Sequence, residues 1–110
     1  MNSGEYQMMV GLEVLDEERY AKYRAGMKPI LHGMGGRFVC DFRVSDVLDG
    51  DVTRREGEGA LDARINRVFV LGFPDEAVKD AFFGDAGYGE VRAEWFEGAV
   101  GVVAVLTTAS

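Results

Sequence analysis

The chain has 110 residues, the length of one ordinary domain, and 47% of them are hydrophobic. Its 12 Lys and Arg against 19 Asp and Glu give a net charge of −7. This acidity argues against a nucleic-acid-binding protein, which needs basic surface to neutralise phosphates, and against binding to anionic membranes. A single cysteine, Cys40, excludes an intrachain disulfide. No signal peptide or spanning segment is visible, so we expect one domain over residues 1–110, located in the cytoplasm.

The first part of the chain predicts a strand followed by a helix. Residues 6–14 are apolar at every second position, which is the period of a strand with one buried face. Asp16 is a suitable N-cap for a helix whose apolar residues recur every three to four positions. Pro29 predicts a kink or an early end of this helix, and the glycines that follow supply positive φ angles for its termination.

A second strand is predicted over residues 38–48, followed by a long connection. Four alternating residues share its apolar face: Phe38, Cys40, Phe42 and Val44. The alternation slips near Asp46, and a β-bulge there would explain the slip. Residues 49–64 are polar, charged and rich in glycine without a period, which predicts a mobile inserted loop. The acidic residues of this loop lack the spacing of a calcium loop, so we expect no metal.

The second half predicts a strand, a helix, an irregular segment and a last strand. Residues 65–73 are apolar on both faces, which is typical of a strand inside a sheet. A helix begins at residues 74–76, and its predicted inner face carries Ala77, Val78, Ala81 and Phe82. Residues 84–98 are irregular or briefly helical, and residues 99–106 form the last strand. The order βαββαβ predicts an α+β ferredoxin-like domain, with a four-stranded antiparallel sheet and two helices on one face.

The last strand also predicts a homodimer. Two helices cover one face of such a sheet and leave the other face bare. Residues 99–106 nevertheless have no polar side chain on either face, and the middle of 65–73 is similarly apolar. The bare apolar patch would exceed what a soluble monomer usually exposes. We therefore expect a second copy of the chain to pack against that face of the sheet.

Four short segments, taken in their order and spacing, resemble a known bacterial family. They are 16–23 (DEERYAKY), 35–38 (GGRF), 47–50 (VLDG) and 70–75 (VLGFPD). From about residue 6 to residue 106, the chain resembles domain-of-unknown-function family 1330 of the dimeric α/β-barrel superfamily. The resemblance implies the ferredoxin-like fold and a dimer in which two sheets form a barrel. It implies no activity, because the function of that family is not established.

Two features depart from the family pattern. Residues 51–64 look like an insertion, since members usually join these two strands by a shorter connection. Members also tend to carry an Arg seven residues after the Tyr that matches Tyr88, and this chain has Trp95 there. Arg92 lies one turn earlier. If the family Arg serves a shared site, this protein lacks it at the usual position.

Five side chains are candidates to border a ligand pocket at one end of the sheet: Tyr20, Tyr23, His32, Arg37 and Trp95. The tyrosines could present hydroxyls to a ligand or pack in the core. His32 could act as an acid or base near neutral pH, or cap the helix C-terminus. Arg37 could bind a carboxylate, or form a surface ion pair. Trp95 could close the pocket mouth, or cover the core or the dimer seam.

Two other features are better explained without a site. Cys40 alternates with apolar residues and is interpreted as a buried small residue rather than a reactive thiol. The glycines at 33–36 precede a strand, whereas phosphate-binding glycine motifs follow a strand and open a helix. We therefore expect no cofactor.

Two functions stay open on these grounds. The first is a module that binds a small apolar or aromatic ligand at the end of the sheet, without catalysis. The alternative is a cofactor-independent oxygenase- or isomerase-like enzyme that acts on a small organic acid, which rests on analogy with the superfamily. An enzyme needs polar groups that converge in a closed cavity, whereas a binding module needs a complementary shape. The positions of the polar side chains in the fold bear on this choice.

Overall fold

The computed structural model describes residues 5–46, 48 and 65–108, of which 102–108 are described by their backbone alone. The predicted inserted loop, residues 49–64, lies outside the described residues. The strands are β1 (Tyr6–Val14), β2 (Arg37–Arg43), β3 (Arg67–Phe73) and β4 (Val100–Thr108). The helices are α1 (Glu17–Gly33), α2 (Glu76–Phe83) and α3 (Ala86–Val91), and α3 runs into a π-helical turn, Arg92–Phe96.

The four strands form one antiparallel sheet in the order β2-β3-β1-β4, which confirms the ferredoxin-like α+β fold. Strand β3 is an inner strand, as its apolar sequence predicted. The core face of the sheet packs against the helices, and on it Met8 lies opposite Leu71 and Val10 lies opposite Phe69. No helix in the described part of the chain is long and apolar enough to cross a membrane.

Helix α1 begins at the predicted N-cap and continues past its proline. The Asp16 carboxylate accepts a hydrogen bond from the Arg19 backbone N–H at 3.1 Å. The predicted apolar stripe is buried: Tyr20, Tyr23, Met27 and Leu31. The predicted early end at Pro29 was wrong, because Pro29 lies on the exposed side, where water can satisfy the carbonyl that loses its partner. Gly35, at φ +86°, then turns the chain into β2.

Strand β2 contains a β-bulge at Val39. Phe38 lies opposite Leu71 of β3, and Cys40 rather than Val39 lies opposite Val70. One extra residue therefore sits on β2, and the alternation of its faces reverses after that residue. The expected bulge near the end of the strand was placed too late in the chain.

The bulge decides which side chains of β2 point to the helices. Asp41 lies opposite the buried Phe69, and Arg43 lies opposite Arg67, so both belong to the helix side of the sheet. Phe42 is 59% exposed on the other side. The prediction of one common apolar face for Phe38, Cys40, Phe42 and Val44 was therefore wrong. Phe38 lies on the helix side, whereas Cys40 and Phe42 lie on the other side. Cys40 is half-buried on that outer side.

The second half of the chain contains the predicted helix and a further short helical segment. Helix α2 begins at Asp75, whose carboxylate accepts a hydrogen bond from the Val78 N–H at 2.9 Å. Phe82 is buried and Val78 half-buried, but the alanines predicted on the same inner face, Ala77 and Ala81, are exposed. Residues 84–98, predicted as irregular or briefly helical, contain α3 and the π-helical turn.

Candidate functional site

A cavity of about 80 Å³ lies between the core face of the sheet and the helices. Strands β1, β2 and β3 contribute one side, and α1 together with residues 83–96 contributes the other. The apolar side chains that line it are Met8, Val10, Leu12, Met27, Phe38, Phe69, Leu71, Phe83 and Phe96. The polar lining side chains described are Tyr23, Arg24, Tyr88 and Arg92. A concave apolar space with a few polar groups is typical of a small-molecule site.

Two of the polar lining groups are hydroxyls that bind each other. Tyr23 Oη and Tyr88 Oη are 2.8 Å apart in a buried hydrogen bond. One hydroxyl donates to the other, so the second keeps a hydrogen that it can donate elsewhere. Burial, and after it the neighbouring Tyr88, raises the pKa of Tyr23 above its usual value. Tyr23 is therefore a hydrogen-bond donor or acceptor in this cavity and not a base near neutral pH.

Arg24 places a largely buried cation at the cavity wall. Its Nη1 donates to Tyr20 Oη at 3.1 Å and its Nη2 donates to Asp41 Oδ2 at 2.8 Å. The guanidinium carbon lies 4.0 Å from the centroid of the Phe38 ring, a cation–π contact. Burial lowers the pKa of Arg24, but Tyr20 and Asp41 outweigh burial and raise it overall. The side chain is therefore a fixed positive charge.

One nitrogen of this guanidinium has no acceptor. Arg24 Nε is buried and makes no hydrogen bond with any described residue. Leaving a buried donor unpaired costs free energy, which the hydrogen bonds and the cation–π contact of the same guanidinium must offset. Arg92 adds a second guanidinium on the exposed side of the cavity, 4.5 Å from the centroid of the Phe96 ring. The described lining contains two cations and no carboxylate or imidazole.

The structure places the two predicted tyrosines side by side in the core. Their ring centroids are 5.7 Å apart, and only Tyr23 lines the cavity. The Tyr20 hydroxyl instead accepts the hydrogen bond from Arg24, on the polar side of the guanidinium. Burial raises the pKa of Tyr20, although Arg24 opposes that rise.

The other three predicted site residues are not among the described lining residues of the cavity. His32 is exposed in the last turn of α1. Arg37 forms an ion pair with Glu5 at 3.0 Å at the start of β2. Trp95 is half-buried against α1, with Lys22 Nζ 4.9 Å from the centroid of its ring. The predicted grouping of these residues around one pocket stays a prediction.

Arg24 was not among the predicted site residues, although its position in the sequence carries a signal for it. Arg24 lies four residues after Tyr20 and three before Met27, so helical spacing places it beside the buried stripe. A cation next to such a stripe needs partners from other elements, and here Asp41 of β2 supplies one. Only the bulge in β2 brings that carboxylate to the helix side.

The fold and the cavity define a ferredoxin-like α+β protein with an apolar cavity beneath its helices. The chain belongs to the family described as Domain of unknown function (DUF1330), which matches residues 6–108. The resemblance read from the sequence is thereby confirmed. No curated protein matches the chain.

Three solved structures illustrate the similarity of fold. A protein of unknown function from Rhodopseudomonas palustris has a TM-score of 0.78 at 19% identity, over 98% of this chain and 83% of that one. A dimeric ferredoxin-like protein of unknown function from Jannaschia sp. CCS1 has a TM-score of 0.61 at 15% identity, over 96% and 98%. SnoaB, a cofactor-independent oxygenase from Streptomyces nogalater, has a TM-score of 0.62 at 11% identity, over 97% and 93%. These likenesses show the fold alone.

Proposed function

We propose that the protein binds a small apolar or aromatic molecule with a hydrogen-bond-accepting group, in the cavity beneath its helices. The observation that carries the proposal is the composition of the lining. Hydrocarbon and thioether groups dominate it, and its described polar groups are two hydroxyls and two guanidinium groups, all of which can donate hydrogen bonds. The apolar part of a ligand would make van der Waals contacts with the lining that are missing while the cavity is empty. A carbonyl or carboxylate oxygen of the ligand would accept a hydrogen bond from a guanidinium group.

The size of the cavity limits the ligand. A volume of about 80 Å³ suits a short aliphatic group, whereas a single ring needs a cavity of about 150 Å³ and therefore some opening of this one. Phe83 and Arg92 line the cavity and are both exposed to solvent, so these side chains can turn outward to admit a ring. A ligand of this class would be a small carboxylic acid or ketone with an apolar body.

The alternative is a cofactor-independent oxygenase- or isomerase-like enzyme that acts on a small organic acid. The similarity in fold to SnoaB is the observation that favours it. Abstraction of a proton needs a base within hydrogen-bond reach. The described lining offers no carboxylate or imidazole, and burial keeps Tyr23 protonated. Binding without catalysis is therefore the function that the geometry supports better.

Fluorine NMR with two probes tests the binding proposal. We expect 4-fluorobenzoate to bind saturably and fluorobenzene, which has no accepting oxygen, to bind more weakly. Val10→Phe fills the cavity from β1 and should abolish binding of both probes. Ala77→Phe also introduces a phenylalanine, on the exposed side of α2 and outside the described cavity lining, and should leave binding intact.

Two results would count against the proposed site, and a third would favour the enzyme alternative. Absence of saturable binding would reject the cavity as a ligand site for this class. Equal binding by Val10→Phe and Ala77→Phe would place the probe elsewhere on the protein. Oxygen uptake or turnover of the bound acid would support the enzyme alternative over a binding module.

We also propose that two copies of the chain pair through the outer face of the sheet. We define the outer face as the side opposite the helices. Its apolar residues include Met9, Cys40, Phe42, Val68 and Val70, and the polar Gln7 and Arg37, both opposite Gly72, lie at its edge. Met9 and Phe42 are 44% and 59% exposed, which is unusual for large apolar side chains on adjoining parts of one sheet. The similar protein from Jannaschia is described as dimeric, and this supports the proposal.

A further inference from the structure

A second recess, the basic cleft, lies on the polar side of Arg24. It has a volume of about 280 Å³ and is formed by α1, β2 and β3. Its charged lining residues are Glu17, Arg24, Lys28, Asp41, Arg43 and Arg67. Arg24 lines both the cleft and the apolar cavity.

Cations outnumber carboxylates in the basic cleft. Among the described lining residues, four positive and two negative side chains leave an excess of two positive charges, in a chain whose net charge is −7. The Asp41 carboxylate forms an ion pair with Arg24, with Oδ2 2.8 Å from Nη2. Glu17 is shared between two arginines, Arg67 at 3.1 Å and Arg43 at 3.6 Å. Such an excess, in an otherwise acidic protein, favours a bound anion.

The geometry of the sheet fixes two of these cations against each other. Arg43 of β2 and Arg67 of β3 lie directly opposite in the strand register, and like charges in such a pair destabilise a sheet. Only one carboxylate, that of Glu17, bridges the pair among the described residues. A second bridging anion would relieve the remaining repulsion.

Two of the cations are held in place by packing. The side chains of Arg24 and Arg67 are only 15% and 12% exposed. Their guanidinium carbons lie 5.6 Å and 5.1 Å from the centroid of the same ring, that of Tyr20. A preorganised pair of guanidinium groups binds an oxyanion without the entropic cost of ordering two free side chains.

We propose that the basic cleft binds a phosphate dianion, either inorganic phosphate or the phosphate group of a small metabolite. A phosphate carries close to two negative charges near neutral pH, which matches the charge excess of the cleft. Its oxygens accept hydrogen bonds from guanidinium forks such as those of Arg43 and Arg67. This inference concerns a separate recess and does not depend on the ligand proposed for the cavity.

An NMR titration of the whole chain with sodium phosphate, at constant ionic strength and slightly above neutral pH, tests the inference. We expect saturable shifts of backbone amides around the cleft. Arg43→Gln removes one donor and should weaken the affinity about tenfold. Glu17→Gln removes a competing carboxylate and should strengthen the affinity severalfold. Arg37→Gln changes another exposed arginine of β2, outside the cleft, and should leave the affinity for phosphate unaltered.

The outcomes of the titration separate the two sources of phosphate and the ways in which the inference fails. Methyl phosphate that binds at least as well as inorganic phosphate points to a metabolite, and binding of inorganic phosphate alone points to the free ion. Acetate that binds as tightly as phosphate would overturn recognition of a dianion. Unsaturated shifts, or equal losses in Arg43→Gln and Arg37→Gln, would mean general charge screening and no site. Circular dichroism confirms that each variant is folded.

Discussion

Two tyrosine hydroxyls meet in the core, and the hydrogen bond between them explains why these polar groups are tolerated there. Tyr23 and Tyr88 are both buried, and their oxygens are 2.8 Å apart. A buried hydroxyl without a partner would cost about 1–3 kcal/mol, so each tyrosine offsets that cost for the other. The bond joins α1 to α3 across 65 positions of the chain.

The raised pKa of Tyr23 predicts a loss of stability at alkaline pH. In the unfolded chain this phenol titrates near its ordinary pKa of 10.0, whereas burial raises its pKa in the folded protein. Above that pH the unfolded state has released a proton that the folded state keeps. The free energy of unfolding therefore falls as pH rises, by about 1.4 kcal/mol per pH unit for this group, and the contribution is fully present below pH 10.

Tyr23→Phe isolates this contribution. Urea unfolding of the variant and of the unchanged protein, measured from about pH 9 to about pH 11, gives the two slopes of stability against pH. We expect the slope of the variant to be shallower by about 0.7 kcal/mol per pH unit at pH 10, rising toward about 1.4 kcal/mol per pH unit at pH 11. Equal slopes would show that Tyr23 is not the group whose proton is retained. Tyr20→Phe serves as a comparison, because burial raises the pKa of Tyr20 too.

Helices α1 and α3 approach closely at a glycine, and this contact predicts an unusual response to substitution. A Cβ on Gly26 would lie 2.9 Å from Val91 Cγ1 and 3.1 Å from Val91 Cγ2. The β-branched valine is stiff and cannot turn away without moving α3. Gly26→Ala should therefore destabilise the protein by about 1–3 kcal/mol, although alanine is the better helix former.

The same helix supplies the control for this prediction. Gly33, at the end of α1, has nothing within 4 Å of the position of an added Cβ. Gly33→Ala should stabilise the protein by up to about 1 kcal/mol through helix propensity alone. Val91→Ala should rescue Gly26→Ala in a double variant. Chemical denaturation checks all of these changes, and equal effects of the two glycine substitutions would contradict the close contact.

The elements were predictable because their signals are local. The alternation of β1, the cap at Asp16 and the stripe of α1 are carried by neighbouring residues, and the structure reproduces them. The bulge at Val39 was not predictable in position, because the alternation of β2 alone fits more than one register. Pairing with β3 chooses the register, and that information lies some thirty residues further along the chain.

The site was less predictable than the fold because it is assembled from distant elements. The described cavity lining comes from β1, α1, β2, β3 and residues 83–96. No single segment of the sequence therefore predicts the cavity. The acidic composition also concealed a basic cleft, because net charge averages over the whole surface. Arg43 and Arg67 become neighbours only through strand pairing. Net charge therefore predicts which kind of partner suits the surface as a whole. It does not predict the ligand of one recess.

The outer face of the sheet leads to the last prediction, which concerns assembly. A second copy packed on this face would bury Met9 and Phe42, and apolar burial contributes about 25 cal/mol per Å². Light scattering during gel filtration should give a mass of about twice the 12.1 kDa of one chain. Met9→Asp and, independently, Phe42→Asp on the edge strand should reduce this mass to that of one chain, because either change would bury a carboxylate without a partner.

Ala77→Asp introduces the same charge on the exposed side of α2 and should leave the dimer intact. A mass of 12.1 kDa for the unchanged protein, or a dimer that survives both sheet substitutions, would show that the outer face does not pair.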